Sequence, residues 1–426
     1  MLARLGLCLA AAALLAAATA SSAVAAFPGK NGRVSLSSQG DLWTMATDGS
    51  DLEQLTKTSE EEAQSVFSPN GERIAYRRRG SSTEPFQVWV MNADGSKQRR
   101  VSNSAVNDTQ PAWSPDGTQI LYRRSIVADP NADIWIMDAD GSDAHAIIES
   151  PGADERYPVF SPDGTRLAFT SSRDGQYEIY VCKADGTQPV RLTNDPGYDS
   201  APSWSPDSGR LAFERGAALD ADATKDIWIM SAGGAGQTRL AASPDVDEGP
   251  AFSPDGLQIA FTSARDGNYE IYRMRDDGSG QRRLTNLPTK EESPDWQAVP
   301  DRDGDGLSTR REKTLNTSDL DRDSDDDGLS DGREAQPGGT SPSRSDTDRD
   351  GLTDGVEMRI TRRIADQPGP VRGTARSRFR ADADPHTRTS PTRRDTDRDG
   401  RSDGAEDRNH NGRLDPGEGN PRRKDE

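Results

Sequence analysis

Cysteine is almost missing from this chain: Cys8 and Cys182 are the only 2 among 426 residues. Cys8 lies in an N-terminal apolar run, so Cys182 stands alone beyond it and no disulfide framework can hold the fold. Histidine is nearly as scarce. His145, His386 and His410 are the only 3, too few for a Ser-His-Asp relay or a histidine-ligated metal centre. No apolar run past the first residues is long enough to cross a membrane. Positive charge is also in deficit, and a formal net charge of -19 argues against nucleic acid as a partner. Hydrophobic residues make up only 31% of the chain, and the shortage is concentrated beyond Pro300.

The N-terminus reads as a signal peptide over residues 1–26. Arg4 supplies the positive start, an apolar Leu/Ala run covers residues 5–18, and Ala23 and Ala25 form an A-x-A cleavage site. Cleavage after Ala25 or Ala26 is expected to export the protein to the periplasm, the cell surface or the exterior, with no anchor of its own.

Internal repetition sets the fold of residues 27–299. A Ser-Pro-Asp-Gly-like turn recurs after an aromatic residue, in VFSPNG, AWSPDG, VFSPDG, SWSPDSG, AFSPDG and a truncated PDWQ. The aromatics Phe67, Trp113, Phe160, Trp204, Phe252 and Trp296 are spaced by 46, 47, 44, 48 and 44 residues. After each turn comes an alternating pair such as Ile74/Tyr76 or Leu211/Phe213, then a near-continuous apolar run such as VWVM or IYVC. A run apolar on both faces suits a strand sandwiched between neighbouring sheets. An Asp-Gly turn follows, or Gly233-Gly234 in one unit, a strong hairpin signal, and a short fourth strand closes the unit. Four strands in about 40–50 residues make a propeller blade. The first copy lacks its opening strand, and residues 294–296 supply one with no blade after it. The expected fold class is therefore all-β: a six-bladed β-propeller closed by pairing N- and C-terminal strands. All seven tryptophans fall on repeat positions and are expected in the core.

These residues resemble the TolB-type six-bladed propeller, with its WSPDG-xxIAF…IYxMxxDG repeat. The resemblance covers roughly residues 32–297 and leaves out that family's N-terminal α/β domain. It implies fold and envelope location, with protein binding as the use.

Residues 300–426 carry Phe379 as their sole aromatic, with 30 acidic and 25 basic residues. Such a segment cannot bury enough apolar surface to offset chain entropy. A twelve-residue pattern offers another source of order, with oxygen donors at positions 1, 3 and 5, glycine at 6, often Asp at 9, and Glu at 12. It occurs five times. Residues 301–312 place Asp301, Asp303, Asp305 and Glu312. Residues 323–334 place Asp323, Asp325, Asp327, Asp331 and Glu334. Residues 346–357 place Asp346, Asp348, Asp350, Asp354 and Glu357. Residues 395–406 place Asp395, Asp397, Asp399, Asp403 and Glu406. Residues 407–418 place Asp407, Asn409, Asn411, Asp415 and Glu418. Calcium wants about six to eight oxygens, and alternate side chains converge as such a loop curls around its glycine. These 24 residues are the expected Ca²⁺ ligands, and the tail is expected to be partly disordered without metal. Two copies follow TSPSRS and TSPTRR, and their DTDxDG cores look like the thrombospondin type 3 repeat. The last copy, with Leu414 at position 8, is nearest an EF-hand loop. Asp382 and Asp384 resemble a decayed copy and receive no ligand role; the arginine-rich stretch around them reads as a solvated linker.

Two GxSxG matches, at Ser330 and Ser402, sit inside these loops rather than on a strand-to-helix elbow. Cys182 replaces the methionine of other blades and reads as a packed thiol. The expected protein is a non-enzymatic, exported calcium-binding scaffold whose propeller face takes a protein partner or a surface polymer. The alternative is a carboxylate- or metal-dependent hydrolase or lyase at the channel mouth, with Asp220 and Asp222 of the 216–225 insertion as its only sequence mark.

Overall fold

A computed structural model describes residues 25–422, apart from 126–130, 218–223, 242, 306, 308, 337–338, 368–369 and 385–387. Most of the expected signal peptide, together with Asp220, Asp222, Gly306 and His386, lies outside the described residues. The chain divides into two compact units, one reaching Ala298 and the other starting at Val299.

The first unit is a six-bladed all-β propeller, with six four-stranded sheets among the described residues. Five blades run in chain order. Their innermost strands are Glu61–Phe67, Asn107–Trp113, Glu155–Phe160, Tyr198–Trp204 and Asp247–Phe252, and they define blades I to V. The sixth is built from both ends of the unit: Glu291–Val299 pairs with Lys30–Ser38, which is followed by Asp41–Met45 and Glu53–Gln54. This closure matches the complementary start and stop of the repeat, and it removes a free sheet edge.

Each inner strand is broken by one left-handed residue: Gln64, Gln110, Tyr157, Ala201, Gly249 and Ser293, all with φ between 50° and 61°. In blades I to V the strand register shifts across this residue, which marks a β-bulge. At three of them the backbone N–H donates to a side chain of the preceding blade: Gln110 to Gln64 at 3.0 Å, Tyr157 to Gln110 at 2.8 Å and Gly249 to Glu214 at 3.0 Å. Aromatic residues stitch the ring further, with Trp113 Nε1 donating to the Val66 carbonyl and Trp296 Nε1 to that of Ala251. The SPDG aspartates are turn residues; Asp116 accepts from Ser114 Oγ at 2.6 Å and from the Thr118 N–H at 3.0 Å. Cys182 is buried, and burial pushes its thiol up to about 12, which makes it inert.

The tryptophans divide in a way the repeat positions did not reveal. Trp113, Trp204 and Trp296 are buried as expected, whereas Trp43, Trp89, Trp135 and Trp228 on the third strands are only partly so. Of these, Trp89, Trp135 and Trp228 are ring faces for a charged device present in blades I to V. An acid on the inner strand (Glu62, Asp108, Glu155, Asp199 or Asp247) is wholly buried and paired with an arginine of the second strand or the turn after it (Arg78, Arg124, Arg173, Arg215 or Arg265). Each guanidinium lies 4.1–4.9 Å from the centroid of the third-strand ring, Trp89, Trp135, Tyr180, Trp228 or Tyr272. The ring and the carboxylate together supply what the cation loses on leaving water.

Candidate metal centres

The second unit has almost no apolar core. Leu307, Leu329, Leu352 and Val356 are its buried hydrophobic residues among those described. Its other buried side chains are chiefly carboxylates, including Asp303, Glu312, Asp323, Asp327, Asp331, Glu334, Asp350, Asp354, Glu357, Asp403 and Glu406.

The five loops curl alike because the first carboxylate turns back onto its own backbone. Asp323 accepts from the N–H groups of Asp327 and Gly328, Asp346 from those of Asp350 and Gly351, and Asp407 from those of Asn411 and Gly412. Asp395 accepts from Gly400 N–H at 2.9 Å, and in the first loop Asp301 accepts from Gly304 N–H at 2.9 Å. The donor at position 5 takes the N–H of position 7, at 2.7–2.9 Å in all five loops. The glycines at position 6, Gly328, Gly351, Gly400 and Gly412, hold φ between 75° and 109°, which a side chain rarely tolerates. The expected carboxylates at positions 1, 3 and 5 converge: Asp301, Asp303 and Asp305, then Asp323, Asp325 and Asp327, then Asp346, Asp348 and Asp350 each bring an oxygen within 4.8 Å of the others.

Asp at position 9 has a second role. It caps its own loop, since Asp331 accepts from Ser324, Asp354 from Thr347 and Asp403 from Thr396, each through N–H and hydroxyl at 2.6–2.9 Å. It also reaches the previous loop. Asp354 joins Asp327 and Glu334 within 4.8 Å, and Asp403 joins Asp350 and Glu357. The glycine after it donates backward too: Gly332 to Asp305 at 2.8 Å, Gly355 to Asp327 at 3.0 Å and Gly404 to Asp350 at 3.1 Å. These residues open one-turn helices, Asp331–Glu334, Asp354–Glu357 and Asp403–Glu406. Ser402, the serine of one GxSxG match, caps the last of them by accepting from Ala405 N–H. Four loops are thus chained, the first three each closed by the next.

Several oxygens in these clusters are buried without a hydrogen-bond partner: Asp303 Oδ2, both of Asp325, both of Asp348, Asp397 Oδ2, both of Glu312, Glu334 Oε2 and Glu357 Oε2. Stranded carboxylate oxygens are costly unless a cation or proton meets them. The electrostatics agree. Burial, then the Asp325 and Asp327 carboxylates, push Glu334 up to about 10. Burial and neighbouring aspartates likewise raise Asp327 to about 8 and Glu357 to about 9, and burial followed by Asp319 raises Glu312 to about 9. A hard divalent cation would remove that repulsion, so the donor set, all carboxylate with no sulfur or imidazole, fits calcium.

The fifth loop differs. Glu418 accepts from the N–H groups of Arg408 and Asp415, and Asp415 accepts from the amides of Asn409 and Asn411. Leu414, which suggested an EF-hand, is 46% exposed. Beside this loop lies Asp382, given no ligand role in the sequence as part of a decayed copy: it is buried, its Oδ2 has no hydrogen-bond partner, and it feels the Asp407 carboxylate. The arginine-rich stretch is tied down as well. Thr374 is buried with its hydroxyl on Asp323, Ala375 N–H donates to Asp326, and Arg378 pairs with Asp326 at 3.4 Å.

A model of the TolB beta propeller domain matches residues 128–216 and 194–345. The chain belongs to the TolB beta propeller domain family. The Bacterial TSP3 repeat matches residues 346–360, the third loop with its closing turn. Among curated relatives, the Tol-Pal system protein TolB of Anaeromyxobacter dehalogenans is 46% identical over 46 residues, 11% of this chain and 11% of the relative. The Protein TolB homolog of Chlorobaculum tepidum is 30% identical over 122 residues, 29% of this chain and 27% of the relative. The chain therefore spans about a tenth to a quarter of these relatives' lengths. TolB from Acinetobacter baumannii has a similar fold, with TM-score 0.55 at 20% identity over 63% of this chain and 67% of that one. A chain of the nidogen/laminin complex also shares it, with TM-score 0.52 at 11% identity over 62% and 98%. Among the described residues no helix of this TolB-type chain is long and apolar enough to cross a membrane.

Proposed function

We propose that this TolB-type protein is an exported, calcium-binding interaction scaffold of the cell envelope or exterior. The propeller, residues 27–299, takes a protein partner or a surface polymer on one face. The tail, residues 300–426, is stiffened by calcium. The observation that carries the metal half is the set of buried, partnerless carboxylate oxygens at positions 3 and 12. Asp301, Asp303, Asp305 and Glu312 would hold one ion. Asp323, Asp325, Asp327 and Glu334 would hold another, assisted by Asp354; Asp346, Asp348, Asp350 and Glu357 a third, assisted by Asp403. Asp395, Asp397, Asp399 and Glu406 form the fourth candidate set, and the loop from Asp407 to Glu418 a weaker fifth. Calcium supplies charge and a rigid oxygen cage here, not chemistry on a substrate.

The binding half draws on the relatives, which are named for the Tol-Pal system, and on the propeller fold. Export draws on the N-terminal pattern. Cleavage after Ala25 would keep Ala26, whose N–H donates to the Trp204 carbonyl. The decisive experiment is calorimetry of the full chain, freed of metal and titrated with calcium. Saturable heat from three or more ions, with dissociation constants of about 10⁻⁴–10⁻³ M, is expected. No heat at millimolar calcium defeats the metal half, and equal capture of surface partners by the protein and by a propeller-denatured sample defeats the other.

A further inference from the structure

One row of the propeller takes a charged side chain from every blade. It crosses the inner and second strands one residue beyond the buried acid. Its pairs are Ala63 with Arg77, Thr109 with Arg123, Arg156 with Thr170, Ser200 with Glu214 and Glu248 with Thr262. In the closing blade the repeat sets Glu292 and Ser37 at these positions. The signs are not mixed around the ring. Blades I to III give Arg77, Arg123 and Arg156, whereas blades IV and V and the closing blade give Glu214, Glu248 and Glu292.

These groups meet across the axis of the ring. Arg77 of blade I feels Tyr157 of blade III and Glu292 of the closing blade, and Tyr157 feels Glu248 of blade V. Blades I and III are not neighbours, nor are III and V. Water reaches this end of the axis. Arg77 is partly exposed, and the side chains of Arg123, Arg156 and Lys290 are 15%, 25% and 32% exposed. Every blade also leaves one buried polar atom of the row without a hydrogen-bond partner: Arg77 Nε, Arg123 Nε, Thr170 Oγ1, Ser200 Oγ, Thr262 Oγ1 and Ser37 Oγ. Stranded atoms all round the ring mark a polar channel mouth that water or a ligand fills.

All but one of the six charges are matched within the chain. Lys225 lies 2.9 Å from Glu248 and 3.5 Å from Glu214, Lys290 pairs with Glu292, and Asp154 takes Arg123 at 3.0 Å and Arg156 at 2.5 Å. Arg77 is the exception. Among the described residues its guanidinium has neither an ion pair nor a hydrogen bond, and the Phe86 ring lies against its face at 4.4 Å. Glu61, the acid it feels most, is held by Arg79 at 2.8 Å. The cause is legible in the repeat. Asp154 stands just before the buried acid of blade III and reaches back to Arg123 of blade II. The same place before the acid of blade II belongs to Asn107, a neutral amide whose Oδ1 accepts from Phe86 N–H at 2.9 Å. Burial works against the lone charge and holds the Arg77 guanidinium below its ordinary value.

We propose that this channel mouth receives an acidic side chain, Asp or Glu, of a protein partner, with Arg77 as its counterion. Three arginines against the single carboxylate of Asp154 give this half of the row a positive excess, which a carboxylate complements. With its face on the Phe86 ring, the guanidinium keeps its edge for both oxygens of an acid. The acidic half of the row opposite repels a second carboxylate and so fixes the side on which the partner enters. A half-buried cation without a counterion costs stability, so Arg77 is poorly explained as a residue of the fold and well explained as one of a binding site.

The site rests on the reading of the propeller as a protein-binding module, but its test is separate from the calcium titration and the surface capture. The full chain is titrated by calorimetry with N-acetyl-glutamate amide, and in parallel with N-acetyl-glutamine amide and N-acetyl-lysine amide. Saturable binding of the glutamate amide is expected, at least tenfold tighter than that of either comparator. Asn107→Asp, nearly isosteric, should abolish it, because the acid is then supplied from within, as Asp154 supplies it to Arg123. Arg77→Gln should weaken binding at least tenfold and stands as the second variant if Asn107→Asp does not fold. Failure of the folded wild-type protein to bind the glutamate amide saturably overturns the site. So does equal binding of the glutamine amide, or binding unchanged by either substitution in a folded variant. Surface capture that persists while the amide fails to bind leaves the module standing and removes this site alone.

Discussion

The propeller and the tail both bury carboxylates, and they neutralise them differently. In the propeller the acids come with partners from the same chain: Asp108 has Arg124 on both oxygens at 2.8 and 3.0 Å, and Asp199 has Arg215 at 2.6 and 2.7 Å. Around them sit aromatic and aliphatic side chains such as Trp204, Phe213 and Phe261 with no exposed surface. In the tail the acids outnumber nearby cations, the buried apolar contribution among the described residues is three leucines and a valine, and the oxygens point at one another. Burial of apolar surface orders the first unit and tolerates charge. On the proposed reading, the second unit is ordered only to the extent that something positive enters it.

The strongest way to break this contrast is to remove the divalent ions. With excess chelator, amide exchange and protease cleavage beyond Val299 should accelerate by several orders of magnitude, while the propeller strands keep their protection. Each ion present at about 100 times its dissociation constant adds about 2.7 kcal/mol to whatever it holds folded, so losing several removes most of the tail's stability. Equal protection of the tail with and without chelator would erase the distinction between the units. The converse perturbation is Trp204→Ala. Deleting a buried indole costs about 3–5 kcal/mol, so the propeller's denaturation midpoint should fall sharply, while the calcium stoichiometry stays unchanged.

A smaller effect probes the chaining of the loops. Gly355 lies in a one-turn helix, where alanine would ordinarily be favoured by about 1 kcal/mol. Here a methyl group would overlap the Asp327 carbonyl oxygen of the preceding loop. Gly355→Ala should therefore weaken calcium binding by about tenfold, an overpacking cost of about 1–3 kcal/mol outweighing propensity. Gly233→Ala in the propeller, where nothing lies within 4 Å of the added carbon, should leave both units unaffected. Unchanged calcium binding in Gly355→Ala would mean that the loops act singly.

The two regions also differ in what could be read from sequence. Blade strands were legible because alternation and Asp-Gly turns are local, and the closure because the missing strand and the surplus strand are complementary. Loop curling was legible because glycine and its flanking donors lie within twelve residues. The link from Asp354 back to Asp327 was not, since position 9 looks like a ligand of its own loop and the partner lies 27 residues earlier. Asp382 was set aside because the glycine and glutamate of the twelve-residue pattern are missing around it. The arginine sandwiches escaped notice because the arginine changes place, opposite the acid in Arg78, Arg124 and Arg215 but two residues later in Arg173 and Arg265, so it drops out of register with the repeat.

The finest distinction between the units lies in the sign of their pH dependence. Asp295 of the closing strand stands where the other blades have Val66, Ala112, Val159, Ser203 and Ala251, is 4% exposed, and accepts from the Phe67 N–H at 2.6 Å. Burial pushes its carboxyl up from 3.8 to about 7. The folded propeller thus holds a proton that the unfolded chain releases, so this group's contribution is fully present below about pH 4 and is lost as pH rises toward 7. The slope is at most about 1.4 kcal/mol per pH unit. Asp295→Asn keeps a neutral side chain and should flatten that slope, giving a smaller loss of stability than wild type between pH 5 and 8 in urea melts. In the tail protons compete with calcium for Asp327, Glu334 and Glu357, so calcium affinity should rise over the same interval. A propeller that loosens and a tail that tightens on one pH axis would separate neutralisation by a proton from neutralisation by a metal. Parallel trends in both would mean that one mechanism serves the whole chain.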